Sequence, residues 1–377
     1  MTLLYLVAGE ASGDVLGARL MAALAARRPG LRFAGVGGPR MQAQGLVSLF
    51  PMQELSLMGL AEVLPALWRV RARLRETEAD VLARRPDALV TIDAPSFTLR
   101  LAARLRPKGV RVIHYVAPQV WAWRPGRVRK IAARVDRLLC LLPFEPGFFA
   151  AAGIDARFVG HPILEGASPG DGMAFRATAG IAPDAPVLAV MPGSRSGELA
   201  RHLPLFGEAL ARLSGEVPGV VPVALALPEH EARIATAWPG TRVVSADADK
   251  RDALAAAAAA LVKSGTSSLE VALAGVPQVV AYRGNPLTAA IVRRLVRVRH
   301  ASLVNLLASE PAVPELLQEQ ATGASLAAAV GTLLSDPRAA ERQHAAFAEV
   351  RAALAAPGGV LPSEAAAEAV LEALQKP

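Results

Sequence analysis

The chain has 377 residues, of which 53% are hydrophobic and 20% charged, with a formal net charge of +8. That length suits two compact domains and that composition excludes a disordered chain; one cysteine, Cys140 in the apolar run RLLCLLP, excludes a disulfide framework and a cysteine-based metal site and points to a reducing compartment. The positive balance points to anionic partners, but not to nucleic acid, because aromatics are only 5% and there is neither a stacking motif nor a long basic tail.

The opening run MTLLYLVAGEASGD has no basic n-region, and its apolar part stops at Gly9-Glu10. It reads as a buried first strand rather than an export signal. The longest later apolar stretch, 254–262, is mostly alanine and falls short of the roughly 20 residues a membrane span needs. Short apolar runs then alternate with helical patterns nearly end to end, the pattern of βαβ units and parallel sheets. Strands are expected at 3–8, 32–36, 88–92, 110–116, 137–142 and 156–159 in the first half. In the second half they are expected at 187–191, 221–227, 242–245, 260–263 and 278–282. Between the halves, EGASPGDGM (165–173) is the richest turn stretch and the natural linker, and from Ser325 onward the pattern is helical. The expected domains are 1–166, 167–345 and a helical tail, 346–377, that packs back on the first. Two domains that each open with a strand running into a Gly-rich turn form the GT-B architecture: two Rossmann-like, doubly wound parallel-sheet domains facing across a cleft.

Three turns carry the chemistry. AGEASGD (8–14) places Gly9 and Gly13 at a strand-to-helix junction, where backbone N–H groups and the helix dipole favour polar or anionic ligand groups. It is not a G-x-G-x-x-G, which disfavours a dinucleotide cofactor. A tight turn with Asp14 as N-cap accounts for the glycines but not for the acidic Glu10 at the strand end. MPGSRSGE (191–198) repeats the geometry, with donors from Gly193 and Ser194 and with Arg195 able to fork onto a diphosphate. In KSGTSSLE (263–270), Ser264, Gly265 and Thr266 form a nest, and Glu270 follows one turn later to accept from ribose hydroxyls. Each turn alone is also an ordinary capped turn; two of them at strand C-ends in one half favour a nucleoside-diphosphate site.

Beyond these turns, the chain resembles the lipid-A-disaccharide synthase family. The matching motifs include GVGGPRM (35–41), LSLMGLAEVLP (55–65), IDAPSF (92–97), IHYVAPQVWAWRPGRVRKI (113–131), LPFEPGFF (142–149), FVGHP (158–162) and VNLLASEPAVPELLQ (304–318). With the three turns they run in order over roughly residues 3–320, and the block around VWAWR is the most specific. The resemblance implies an inverting GT-B glycosyltransferase working without metal or cofactor. It would join UDP-2,3-diacylglucosamine to 2,3-diacylglucosamine 1-phosphate through a β-1′,6 linkage and release UDP. It further implies a peripheral enzyme on the cytoplasmic face of the inner membrane, in contact with anionic lipid. A homodimer is compatible with the sequence.

An inverting transfer needs a base for the acceptor hydroxyl and charge stabilisation for the departing UDP. Asp93, at the end of a strand before Ala94-Pro95, is the expected base; its bland role is N-cap of the helix that follows. Glu10, Gly193, Ser194, Arg195, Ser264, Gly265, Thr266, Glu270 and Asn305 are expected on the donor side. Gly13, Met58, Trp68 and His161 are expected on the acceptor or lipid side. Departures from the family pattern are local: Ser96 replaces a second aspartate, which favours Asp93 as the base, APQ (117–119) replaces SPS, and LVNLL (303–307) replaces LPNLL while leaving Asn305 in place. Asp247-Ala-Asp249 has a metal-site spacing but reads as a helix cap. His114 reads as a core histidine, and two roles stay open for His161, orienting substrate or fastening the hinge. The stretch 55–75 places Leu60, Val63, Leu64, Leu67 and Leu74 on one face against Glu62, Arg69 and Arg73. It suits a core-packed helix or, with Trp68 and the neighbouring arginines, an interfacial one. Arg293, Arg294, Arg297 and Arg299 form a second basic cluster, and Trp121 and Trp123 are expected to pack near the cleft. The rivals are a UDP-sugar 2-epimerase of the same architecture and a non-catalytic membrane-bound nucleotide-sugar sensor.

Overall fold

The computed structural model describes residues 2–55, 63–123, 125–166, 169–285 and 299–375. The chain divides into two compact units, Met1–Glu165 with Leu354–Pro377, and Gly166–Ala353.

In the first unit, β1 (Leu3–Ala8), β2 (Arg32–Val36), β3 (Ala88–Ile92), β4 (Val112–Tyr115), β5 (Arg137–Cys140) and β6 (Asp155–Phe158) form one parallel sheet. Their order is β2-β1-β3-β4-β5-β6. β1, β3 and β4 are buried along almost their whole length, as continuous Val/Ile/Leu runs must be when helices cover both faces of a parallel sheet. After β2 the chain crosses back over β1, so strand order reverses between β1 and β3, paired from Leu4↔Ala88 to Ala8↔Ile92. A crevice opens at the C-terminal ends of strands at such a reversal. The helix Pro362–Gln375 completes this unit, burying Ala366, Ala367 and Val370, whose small side chains allow close packing. Buried Arg137 forks onto Asp155 Oδ2 at 2.7 and 3.0 Å and donates to Ala369 O at 2.5 Å, which ties that helix to β5.

The second unit repeats the plan with β7 (Val187–Met191), β8 (Val221–Leu225), β9 (Arg242–Val244), β10 (Ala259–Lys263), β11 (Gln278–Tyr282) and β12 (Glu315–Leu317). The order β12-β11-β10-β7-β8-β9 puts its reversal between β7 and β10.

Several expected boundaries shift, for local reasons. β4 stops at Tyr115 because Val116 turns to φ 80, and β5 stops at Cys140 because the N–H groups of Leu141 and Leu142 donate to Glu145 instead of to a strand. β12 has only three residues, after Pro314, and no alternation announces it. The helix Pro337–Leu354 runs unbroken through the expected boundary at 346. Gln343 holds it to the second unit by exchanging hydrogen bonds with the backbone of Gln278 at 2.8 and 3.0 Å, and the chain re-enters the first unit at Leu354.

The stretch 55–75 contributes the helix Val63–Arg84, with Pro65 in its first turn, where a missing N–H leaves no bond unmade. Val70 and Leu74 are buried, while Trp68 is 70% exposed under the Arg71 guanidinium, 5.7 Å from its ring. Arg73 is not on the polar outer face as expected. It forks onto Glu54 at 2.7 and 3.0 Å, bonds Glu76 at 2.5 Å and lies over the Phe50 ring. Met58, Leu60, Glu62, Arg293, Arg294 and Arg297 lie outside the described residues. Among the described residues no helix is long and apolar enough to cross a membrane.

Candidate active site

At the reversal in the first sheet, Glu10 follows β1 and Asp93 follows β3, so the two carboxylates sit on neighbouring strand ends. Gly9 lets these ends meet: a Cβ there would lie 2.8 Å from Ala94 Cβ. Glu10 is exposed, with extended backbone before the helix Ala11–Arg27 and no capping bond from its side chain. Asp93 and Ala94 both adopt left-handed backbone, φ 48 and φ 44, and Val116 at the end of the adjacent β4 has φ 80. Such conformations each cost about 1–3 kcal/mol outside glycine and cluster where a site requires them. The bends are held by Asp93 N–H donating to Tyr115 O at 2.9 Å and by Thr98 Oγ1 donating to Asp93 O at 2.6 Å and Ala94 O at 3.0 Å.

Asp93 does not cap the next helix. Ala94 is the N-cap of Pro95–Leu105, and no side chain makes a capping bond there. Burial pushes the Asp93 carboxyl above its ordinary value, against the opposing pull of the Ala94 N–H. Burial, a raised carboxyl and strained backbone thus coincide at Asp93, on a strand end.

Gly13 and Asp14 turn out to be packing residues. Gly13 is buried, where a Cβ would come within 3.3 Å of Ala8 Cβ, so the acceptor-side role expected for it gives way to close helix–strand packing. Asp14, 4% exposed, does not cap its own helix. It accepts from the N–H groups of Gly38, Arg40 and Met41 at 2.9–3.0 Å and so clamps the start of the helix Pro39–Ala43. His114 is a core residue as expected: burial lowers its pKa to about 4, and Nδ1 meets Thr91 Oγ1 at 2.8 Å. The His161 ring Nδ1 accepts from Ile163 N–H at 3.2 Å, while its backbone N–H donates to Leu354 O at 2.9 Å, so the segment is fastened at this point.

Sequence reasoning passed over Glu145. Its buried carboxylate accepts from Leu141 N–H, Leu142 N–H and Trp121 Nε1–H, each at 3.0 Å, and burial pushes it up to about 7 against those bonds. It thereby fixes Trp121, which meets Phe144 edge-on, at the C-terminal end of β5. A glutamate just after an apolar strand was the available signal.

At the second reversal, the turn after β7 carries Gly193 (φ 128), Ser194 and Arg195, and the helix Ser196–Glu216 starts there. The Arg195 side chain is 82% exposed, with Glu198 at 3.5 Å. Glu198 is buried and folds back on the turn, accepting from Ser194 N–H at 3.3 Å and pairing with Lys263 Nζ at 2.9 Å. Burial pushes the Glu198 carboxyl up, but Lys263, Ser194 N–H and Arg195 hold it below the usual carboxylate range. His202 Nδ1 meets Pro192 O at 2.9 Å while Nε2 accepts from Arg283 N–H at 3.1 Å, so the neutral Nδ1–H tautomer ties the β7 turn to the end of β11. After β10, Ser264 Oγ donates to Ala301 O at 2.8 Å, Gly265 has φ 152, and exposed Thr266 precedes the helix Ser267–Leu273. Glu270 on that helix is exposed, and no hydrogen bond or ion pair among the described residues engages its carboxylate.

Asn305 departs from expectation. It is 5% exposed; its Oδ1 accepts from Ala312 and Val313 N–H at 3.0 Å, and its Nδ2 donates to Val313 O at 2.8 Å and Glu315 Oε1 at 2.7 Å. With both amide atoms spent on its own loop and on Glu315 at the start of β12, it shapes the segment beside Ser264 instead of offering its side chain to a donor. Asp247 and Asp249 lie in the first turn of the helix Asp247–Ala256, with Ala246 as its cap. Among the described residues no group of three or more His, Cys, Asp or Glu is gathered as metal ligands would be.

A family model described as lipid-A-disaccharide synthetase matches residues 4–369. Among relatives, the lipid-A-disaccharide synthase of Rhodospirillum centenum is 53% identical over 382 residues, covering 99% of this chain and 95% of that one. That of Gluconobacter oxydans is 50% identical over 379 residues, covering 99% and 91%. Among solved structures, the calicheamicin glycosyltransferase CalG4 superposes with a TM-score of 0.60 at 20% identity, covering 100% of this chain and 99% of that one. A UDP-GlcNAc 2-epimerase from Neisseria meningitidis bound to UDP-GlcNAc superposes with a TM-score of 0.65 at 11% identity, covering 100% of both. At such identities the structures share the fold alone, two Rossmann-like domains of the GT-B class. The chain belongs to the lipid-A-disaccharide synthase family and is a hexosyltransferase of lipid A biosynthesis.

Proposed function

We propose that the chain transfers the sugar of UDP-2,3-diacylglucosamine to the 6-hydroxyl of 2,3-diacylglucosamine 1-phosphate, with Asp93 as general base. The hydroxyl oxygen forms the new bond to the anomeric carbon, its proton passes to the Asp93 carboxylate, and the bond to the β-phosphate breaks with its electron pair leaving on UDP. Attack opposite the leaving group inverts the anomeric centre. The observation that carries this reading is Asp93 itself: a raised carboxyl, free of capping duty, on a strained strand end at the reversal of the first sheet. Arg195, with the Gly193–Ser194 turn, binds the diphosphate; Ser264, Gly265 and Thr266 line the neighbouring turn, and Glu270 accepts from the ribose. Glu10, exposed beside Asp93, completes the polar lining of the first unit. Incubating the purified protein with both diacyl sugars should give a disaccharide 1-phosphate by mass, together with one UDP for each. UDP release without acceptor, or a product of unchanged sugar count, contradicts the reading.

We further propose that the enzyme works at a membrane surface, the cytoplasmic face of the inner membrane, where an acylated acceptor would lie. Support comes from Trp68, exposed among Arg69, Arg71 and Arg75, together with a net charge of +8. His161 lies with this unit, but its bonds favour fastening over acceptor contact. Vesicle co-sedimentation should need anionic lipid and weaken with salt, because screening confines surface charge to about 8 Å at 0.15 M. Equal binding to neutral vesicles in high salt contradicts the electrostatic attachment.

A further inference from the structure

Glu198 and Lys263 are both largely buried, their side chains 9% and 17% exposed, and they meet at 2.9 Å where strand order reverses between β7 and β10. Two turns converge on this pair. A Cβ at Gly193 would lie 2.8 Å from Glu198 Oε2, and a Cβ at Gly265 would lie 3.4 Å from Lys263 Nζ. The ammonium therefore sits against the turn after β10 while its partner lies under the turn after β7. Tyr282, on β11, presents its ring 5.8 Å from Nζ and limits where the lysine can swing.

The carboxylate is oversubscribed. Glu198 Oε1 faces both Lys263 and Arg195, at 2.9 and 3.5 Å, while Oε2 takes Ser194 N–H at 3.3 Å. One negative charge against two positive ones leaves a surplus positive charge between the turns. His202 and His230, whose rings meet the backbone oxygens of Pro192 and Ser194, bring no negative charge to offset it. A backbone N–H, an arginine and a lysine are also the donor set that grips a phosphate.

We propose that Lys263 supplies a second cation, beside Arg195, to the diphosphate of the sugar donor, and that Glu198 is the positioning residue that aims it between the two turns. This rests on the reading that the diphosphate lies at the turns after β7 and β10. A cation in a partly desolvated site acts more strongly on the charge that develops as UDP departs than an exposed one does, because water screens it less.

The test uses the full-length protein, with UDP and uridine as calorimetric probes. Lys263→Met alone would strand a buried carboxylate, so the variant of choice is Lys263→Met with Glu198→Gln, which neutralises both partners at nearly constant shape. The double variant should bind UDP at least about tenfold more weakly while binding uridine as the wild type does, and Lys263→Arg should stay within about threefold for UDP. Arg195→Ala serves as the control for the underlying reading. If Arg195→Ala weakens UDP binding but the double variant does not, the pair is a structural salt bridge and the proposal falls alone. If the double variant loses UDP and uridine equally, the change is one of site shape and the cation role is overturned. If neither variant affects UDP, the diphosphate binds elsewhere and both readings fall together.

Discussion

Arg195→Ala is expected to weaken UDP binding by about ten- to a hundredfold with no loss of melting temperature. The Arg195 side chain is 82% exposed, and its one ion pair among the described residues, with Glu198 at 3.5 Å, is long and solvent-screened. Removing it leaves no cavity and strands no buried charge, so a loss of affinity reports a lost ligand contact. A charge-assisted contact to a diphosphate contributes roughly 1.5–3 kcal/mol, which sets the size of the effect. Glu270→Ala should also weaken UDP binding, while a ribose-free diphosphate should be unaffected, if the proposed contact of its carboxylate with the ribose is made. Unchanged UDP affinity in both variants moves the nucleotide site away from these turns.

The parts legible in the sequence were those set by local pattern. β1, β3, β7 and β11 match their expected limits because uninterrupted apolar runs between turn residues leave little room for another reading. The phosphate-type turns were visible because glycine marks the strand-to-helix junction, and Gly193 and Gly265 do take positive φ there. What escaped depends on which strands become neighbours. Lys263 finds Glu198 only because β10 inserts beside β7, and Trp121 finds Glu145 only because β4 and β5 pair. Asn305 sits in a motif, yet only its partners reveal that its amide is spent on its own loop. A local cap is the plain alternative the sequence offers for Asp14, because helix starts favour aspartate, whereas its three bonds reach a different helix. The architecture alone left an epimerase and a transferase equally open, as the likeness to an epimerase at 11% identity illustrates. The sequence motifs separated them, in line with relatives that are 50–53% identical.

Asp93→Asn is the substitution with the largest expected effect on turnover. Burial disfavours the charged carboxylate, so the neutral isostere relieves a cost instead of adding one, and the fold should melt no lower than the wild type. The left-handed backbone at φ 48 is tolerated by asparagine as well as by aspartate, and no capping bond is lost. Turnover should nevertheless fall by about 10²–10⁴-fold, the usual contribution of a positioned general base. The pH profile supplies the sign. A base acts when ionised, so the wild-type rate should decline as pH falls through a pKa lying above the ordinary aspartate value, and this limb should vanish in the variant. The most direct measurement is therefore turnover of Asp93→Asn at neutral pH beside its calorimetric affinity for UDP. Turnover lowered by about 10²–10⁴-fold with UDP affinity near wild type is the predicted result. Turnover largely retained would contradict it and turn attention to Glu10, the neighbouring carboxylate just after β1, while unfolding or loss of UDP binding would make Asp93 a structural residue.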